Sequence, residues 1–280
     1  MLSAEASVRR WTPGSAYRVA QVGIRGDVRS RRPNCALRQV KSNHTNEAMS
    51  AHPEVGESRY ELAAVVERAH LRAKWVDMDG AVLQEIFEAW SDRLGLLTTQ
   101  EWAAPTRLPG WMVRDLVAHI VPDERGAELL RSSRVESPAV TSAAQILRIY
   151  NMPGGYARAN ADITAEAARQ ASAVGPERLV AHFTDNAPKL IAELRGLDPN
   201  TGVAHPISQL GTVSFGALTQ YFLVEATVHL LDLLDAVGGD PVPASALSRT
   251  AEILSAVPDP VAFIESATGR SNAAVLPVMR

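Results

Sequence analysis

Glu225 and His229 stand four residues apart in the run Glu225-Ala-Thr-Val-His229. On a helix that spacing puts both side chains on one face, one turn apart. The helix around them, Val213 to Gly238, is apolar almost all the way round, the mark of a helix buried on most sides. A carboxylate and an imidazole inside such a helix are costly unless they are paired. A shared divalent cation would satisfy both. Two ligands do not close a site, and the best third candidate is His119, at the end of Trp111-Met-Val-Arg-Asp-Leu-Val-Ala-His119, which is itself an apolar helical pattern. Two imidazoles and one carboxylate suit zinc and similar ions. Three protein ligands leave a position for water or substrate, the arrangement of a catalytic centre rather than a structural one. The competing reading makes His119 a satisfied core histidine and pairs Glu225 with an arginine such as Arg114.

Four further residues are weaker candidates. Asp115, one turn before His119, could orient its ring or meet an arginine; otherwise it is an exposed first-turn acid that favours the helix dipole. Asp232, three residues after His229, could support the ligand from behind or act as an inward polar anchor. His205 lies in a loop that could border the site mouth. Arg270 could hold a substrate carboxylate or simply end a surface helix.

The elements that must position these residues are helical. Leu83, Ile86, Phe87, Trp90, Leu94 and Leu97 follow the i, i+3, i+4, i+7 pattern over about 80–97. Leu108-Pro109-Gly110 makes a turn, and Trp111 opens a helix expected to run over 111–133. Residues 176–195 keep one apolar face, with a kink or break expected at Pro188. The Glu225–His229 helix, 214–237, stops at Gly238-Gly239. Four such helices pack most simply as a bundle, in which metal sites form from inward side chains on facing helices. Shorter helices are expected over 58–76, 142–150, 157–173, 243–257 and 259–268. The last has Asp259 as N-cap and Pro260 in its first turn. No strand alternation appears, and Leu276 to Met279 reads as a short strand or tail. The fold class is therefore all-α: a bundle over 58–240 with a short helical extension, 241–280.

The chain has 280 residues and a net charge of −3, which gives no general nucleic-acid footprint. The charge is uneven: residues 1–48 hold nine arginines and lysines against three acids. That block has no periodicity, so residues 1–57 are expected to be a disordered basic arm, and Met49 is a candidate true start. The single cysteine, Cys35, excludes an internal disulfide and fits a reducing cytoplasm. No membrane span is expected, because Glu225, His229, Asp232 and Asp235 interrupt the most apolar helix.

Leu108-Pro-Gly-Trp-Met-Val-Arg-Asp-Leu-Val-Ala-His119 and Glu225-Ala-Thr-Val-His229-Leu-Leu-Asp232 resemble the two signatures of the mycothiol-dependent maleylpyruvate isomerase family, within the DinB-like superfamily. The resemblance runs over roughly residues 79–270. It implies a DinB-like four-helix bundle that binds a divalent metal, commonly zinc, through His119, Glu225 and His229. It also implies mycothiol as a thiol cofactor and a small-molecule electrophile as the other partner. A metal ion that eases thiol ionisation would let the thiol attack the electrophile. The outcome is isomerisation if the thiol leaves again, and thiol transfer if it stays. The isomerase that names the family has a separate C-terminal domain, whereas only about 40 residues follow Gly239 here. A metal-binding bundle without catalysis and a zinc-hydroxide hydrolase remain as alternatives.

Overall fold

The computed structural model describes residues 78–122, 124–271 and 275, with the side chains of 124 and 125 left aside. The expected basic arm, Met49, Cys35, the helix over 58–76 and the tail from Leu276 lie outside the described residues. The chain is mostly helical, as its patterning requires, and no helix among the described residues is long and apolar enough to cross a membrane.

Two helices fix the frame. α1 covers 78–95 in its described part. Its stripe of Leu83, Ile86, Phe87, Trp90 and Leu94 is almost wholly buried. After a one-turn helix α2 (Thr99–Trp102) and a turn, α3 (Val113–Ile120) begins. It ends well short of 133, because Pro122 disfavours helical backbone at the residue before it and has no N–H to give. Val121 is accordingly extended, at φ −55°, ψ 136°. The apolar residues further on, Leu129 and Leu130, belong to a separate helix, α4 (Glu124–Arg131).

A two-residue strand β1 (Arg134–Val135) precedes α5 (Ala143–Asn151), the short α6 (Tyr156–Ala159) and α7 (Ala161–Ser172). α7 packs closely along α3. Its contact face is made of small side chains, with Ala168 and Ser172 buried, so a segment of weak apolar character still finds a partner. α8 (Pro176–Ala181) and α9 (Ala187–Arg195) are joined without a break by one π-turn, His182–Asn186. Such a wide turn absorbs the hydrogen bond that Pro188 cannot make, where a kink or break was expected.

Strands β2 (Gly202–Ala204) and β3 (Thr212–Ser214) complete a small antiparallel sheet in the order β1-β2-β3. A Cβ at Gly202 would strike the Val213 carbonyl, so the close pairing there needs glycine. The sheet leads into α10 (Phe215–Val237), capped by the Ser214 hydroxyl, which accepts from the Ala217 N–H at 3.1 Å. Arg93 closes the other end of α10 by donating to the carbonyls of Val237 and Gly238 at 2.8 and 2.7 Å. Midway, the buried Trp90 indole donates to the Ala226 carbonyl at 2.9 Å and stacks on Phe183, centroids 5.4 Å apart. This ties α1 and the π-turn to α10 one residue from Glu225.

The last helices, α11 (Ala244–Ser255) and α12 (Pro260–Ala267), follow. Ile253 and Val257 join Ala143, Ala144, Leu147 and Val224 in a second apolar cluster, so α11 packs on α5 and α10. A buried polar knot reinforces that corner. Asp79 accepts from Arg249 at 2.6 Å and from Gln220 at 3.0 Å, and Gln220 accepts from the Ala143 N–H at 3.3 Å.

Candidate metal centre

α10 turns one stripe, Tyr221, Glu225, His229 and Asp232, toward α3, and α3 presents His119 from its last turn. The Nε2 of His229 lies 3.4 Å from a Glu225 carboxylate oxygen, and the Nε2 of His119 lies 3.9 Å from the same oxygen. One ligand atom from each of the three residues falls within 4.8 Å of the others. Ligands about 2.0–2.1 Å from a tetrahedral ion sit roughly 3.4 Å from one another, so the donor set suits a zinc-like cation once the wider-spaced ligand atoms draw in. His119 is the most open of the three, with 29 % of its side chain accessible against 12 % for His229 and 13 % for Glu225.

Each ring is held by its neighbours. The His229 Nδ1 meets Asp232 at 2.8 Å, which turns Nε2 toward Glu225. Asp232 is buried and also accepts from the Arg107 Nε at 2.6 Å. His119 packs edge-on between Trp111 and His229, with ring centroids 5.3 and 5.2 Å away. Tyr221, one turn before Glu225, sends its hydroxyl toward that carboxylate and packs edge-on against Tyr150 at 5.7 Å.

The protonation pattern follows from this enclosure. Although 29 % of its side chain is accessible, desolvation of the crowded ring and then the charge of His229 hold His119 down to about 4, against an opposing pull from Glu225. Burial alone would lower His229 too, but its bonds to Asp232 and Glu225 outweigh that and push it up to about 9. Burial raises Glu225, and the hydrogen bond and charge of His229 overcome it, leaving the carboxyl below its usual range. The result at neutral pH is a neutral His119 beside an imidazolium at His229 and two carboxylates. His229 must shed its proton before it can ligate a metal.

A family model described as the mycothiol maleylpyruvate isomerase N-terminal domain matches residues 83–234, more than half of the chain. The chain belongs to this family. Among solved structures, the crystal structure of the mycothiol-dependent maleylpyruvate isomerase is similar at 17 % identity and a TM-score of 0.41, over 62 % of this chain and 67 % of that one. That likeness is too distant to bear on chemistry. No curated protein sequence matches. The matched span includes His119, Glu225 and His229, and membership agrees with the all-α, DinB-like bundle expected from the two signatures.

The other candidates have less to do with the centre. Asp115 is buried rather than exposed, and it does not orient His119. Its carboxylate accepts from the Met112 N–H at 3.1 Å and the Ser172 hydroxyl at 2.9 Å, so it caps α3 and fastens α7. Arg114 lies 3.8 Å from Asp115, and among the described residues the ion pairs of Glu225 are with His119 and His229. His205 sits in the β2–β3 connection, where its Nδ1 accepts from the Ile207 N–H at 3.1 Å. Burial lowers it to about 4, partly opposed by that bond. Arg270 is exposed just past α12, and its N–H closes on the Glu265 carbonyl at 2.7 Å. Sequence reasoning missed Arg107, Trp111 and Tyr221 as neighbours of the centre. Tyr221 precedes Glu225 by four residues, a spacing that already places the two on one face.

Proposed function

We propose that this protein is a divalent-metal-dependent enzyme, zinc being the best match, that uses mycothiol or a similar low-molecular-weight thiol to isomerise a maleylpyruvate-like electrophile or to transfer the thiol to it. The observation that carries this reading is the convergence of His119, Glu225 and His229. It occurs inside the span matched by a family named for mycothiol and maleylpyruvate. A divalent cation held by these three residues would supply Lewis acidity that eases ionisation of a thiol close to neutral pH. The thiol, when bound beside them, would serve as the nucleophile toward an electrophilic double bond.

The chain's own residues supply the rest. His119 and His229 offer Nε2 and Glu225 offers a carboxylate oxygen, all on rigid helices. Asp232 fixes which His229 nitrogen faces the centre. Trp111 shields one side of His119, whose exposed edge is the way in for small molecules. Tyr221 keeps its phenolic proton well beyond neutral pH, because burial and then the Glu225 charge oppose its ionisation. It can therefore donate toward Glu225 throughout. A reducing cytoplasm is the compartment in which such a thiol is available.

Elemental analysis of the purified wild type beside Glu225→Ala tests the centre, with about one zinc per chain expected in the first and little in the second. Turnover of maleylpyruvate with and without added mycothiol tests the chemistry. Turnover without thiol would favour a hydrolase, and bound metal without turnover a non-catalytic bundle.

A further inference from the structure

Arg107 is placed by a tight loop whose Leu108 and Trp111 pack against the main core. Pro105 pairs with Met112 in an isolated bridge. Thr106 donates its N–H to the Trp111 carbonyl at 2.9 Å, and Trp111 donates to the Leu108 carbonyl at 3.1 Å. Gly110, at φ +79°, closes the turn in a conformation that other residues rarely adopt. This tight loop carries two side chains to the centre: Trp111 against His119, and Arg107 against Asp232.

Arg107 uses only its Nε there. Its side chain is 49 % exposed, and its Nη groups have no hydrogen-bonding partner among the described residues. A guanidinium has five N–H donors in a rigid fork, and four of them remain free to face solvent beside the centre. The Nε–Asp232–His229 chain sets the distance: one carboxylate and one imidazole separate the fork from the point where the three ligand atoms meet. The charge balance favours an anion as well. With a divalent cation bound and both imidazoles neutral, Glu225, Asp232 and Arg107 leave the centre at a net +1.

We propose that Arg107 anchors a carboxylate of the electrophile, so that the protein selects small organic acids over their neutral counterparts. The inference rests on the metal-centre reading for where the reacting group lies. Its own content is a carboxylate subsite one residue-length from His229. Arg107 binds bidentately through its Nη groups while its Nε stays on Asp232.

The test uses zinc-loaded full-length protein and two probes, maleate and the neutral maleamide, with binding measured by calorimetry. Wild type should bind maleate more tightly than maleamide. Arg107→Gln should lose about tenfold or more in maleate affinity, the usual scale for a lost charge-assisted contact, with maleamide affinity unchanged. Arg107→Lys should recover part of the loss. Equal losses for both probes would reduce Arg107 to a support for Asp232 and overturn the proposal. A wild type that does not bind maleate, or an Arg107→Gln variant that binds it as well as wild type does, would overturn it too. Zinc affinity, followed in the same variants, separates the two levels. Arg107-dependent maleate binding without thiol-dependent turnover would sink the proposed reaction and leave the subsite standing.

Discussion

Replacing Asp232 by asparagine tests the centre in an unusual way, because it has two effects of opposite sign. The carboxylate orients His229 through a 2.8 Å bond and is buried with Arg107 on its other oxygen. Losing such an outer partner typically weakens metal binding by about 10–100-fold. The same bond, together with the hydrogen bond and charge of Glu225, raises His229 to about 9 in the metal-free protein. At pH 7 a metal must therefore displace a proton held about two pH units too tightly, a penalty of roughly 3 kcal/mol. Asparagine relieves part of that penalty by letting the imidazole fall back toward 6.5. Wild-type zinc affinity should thus climb by roughly two orders of magnitude between pH 6 and pH 8.5, with one proton released per ion. The variant should climb less. It should be clearly weaker than wild type at pH 8.5, and the gap should narrow by on the order of tenfold at pH 6. Competition against a chromophoric chelator at both pH values measures this directly. A constant ratio of affinities across pH would refute the claim that Asp232 governs the His229 proton, and equal affinities at pH 8.5 would refute its orienting role.

Three other outcomes are expected. His119→Ala should abolish most of the zinc-induced rise in melting temperature, worth about 2.7 kcal/mol at a hundredfold excess over the dissociation constant, while leaving the metal-free melting temperature close to wild type. In metal-free protein the two histidines should act in opposite pH windows. The depressed His119 costs nothing above about 6.5 and destabilises the fold as pH falls toward about 4, whereas the raised His229 adds stability below about 6.5 and loses it as pH rises through about 9. Chemical denaturation of His119→Ala and His229→Ala across pH 4–9 should flatten the acid limb in the first and the alkaline limb in the second. Trp90→Phe keeps most of the packing but removes the indole donor to the Ala226 carbonyl, and should cost about 1–3 kcal/mol by urea unfolding.

α10 was legible from its residues alone, because an apolar run of that length that stops at Gly238-Gly239 admits few alternatives. The Glu225–His229 pair was legible for the same reason: helical spacing fixes a shared face. The end of α3 was not, although Pro122 stood in view, because the apolar stripe resumes at Leu129 and suggests continuity across the break. The β strands are two or three residues long, too short for alternation to register. α7 has few large apolar residues, and its place against α3 depends on small side chains that allow close approach. The burial of Asp115 depends on Ser172, 57 positions away, and the pairing of Arg107 with Asp232 spans 125 positions. Neither partnership leaves a local trace.

The division of labour around α10 has a bearing on how such proteins diversify. Leu223, Ala226, Thr227, Leu230 and Leu233 are fully or almost fully buried, while Glu225, His229 and the Arg107 loop occupy the opposite, wetter edge. Arg107 is the half-exposed member of that edge, so its replacement can alter ligand choice without opening a cavity in the interior, whereas Leu108 and Trp111 of the same turn also pack on the core.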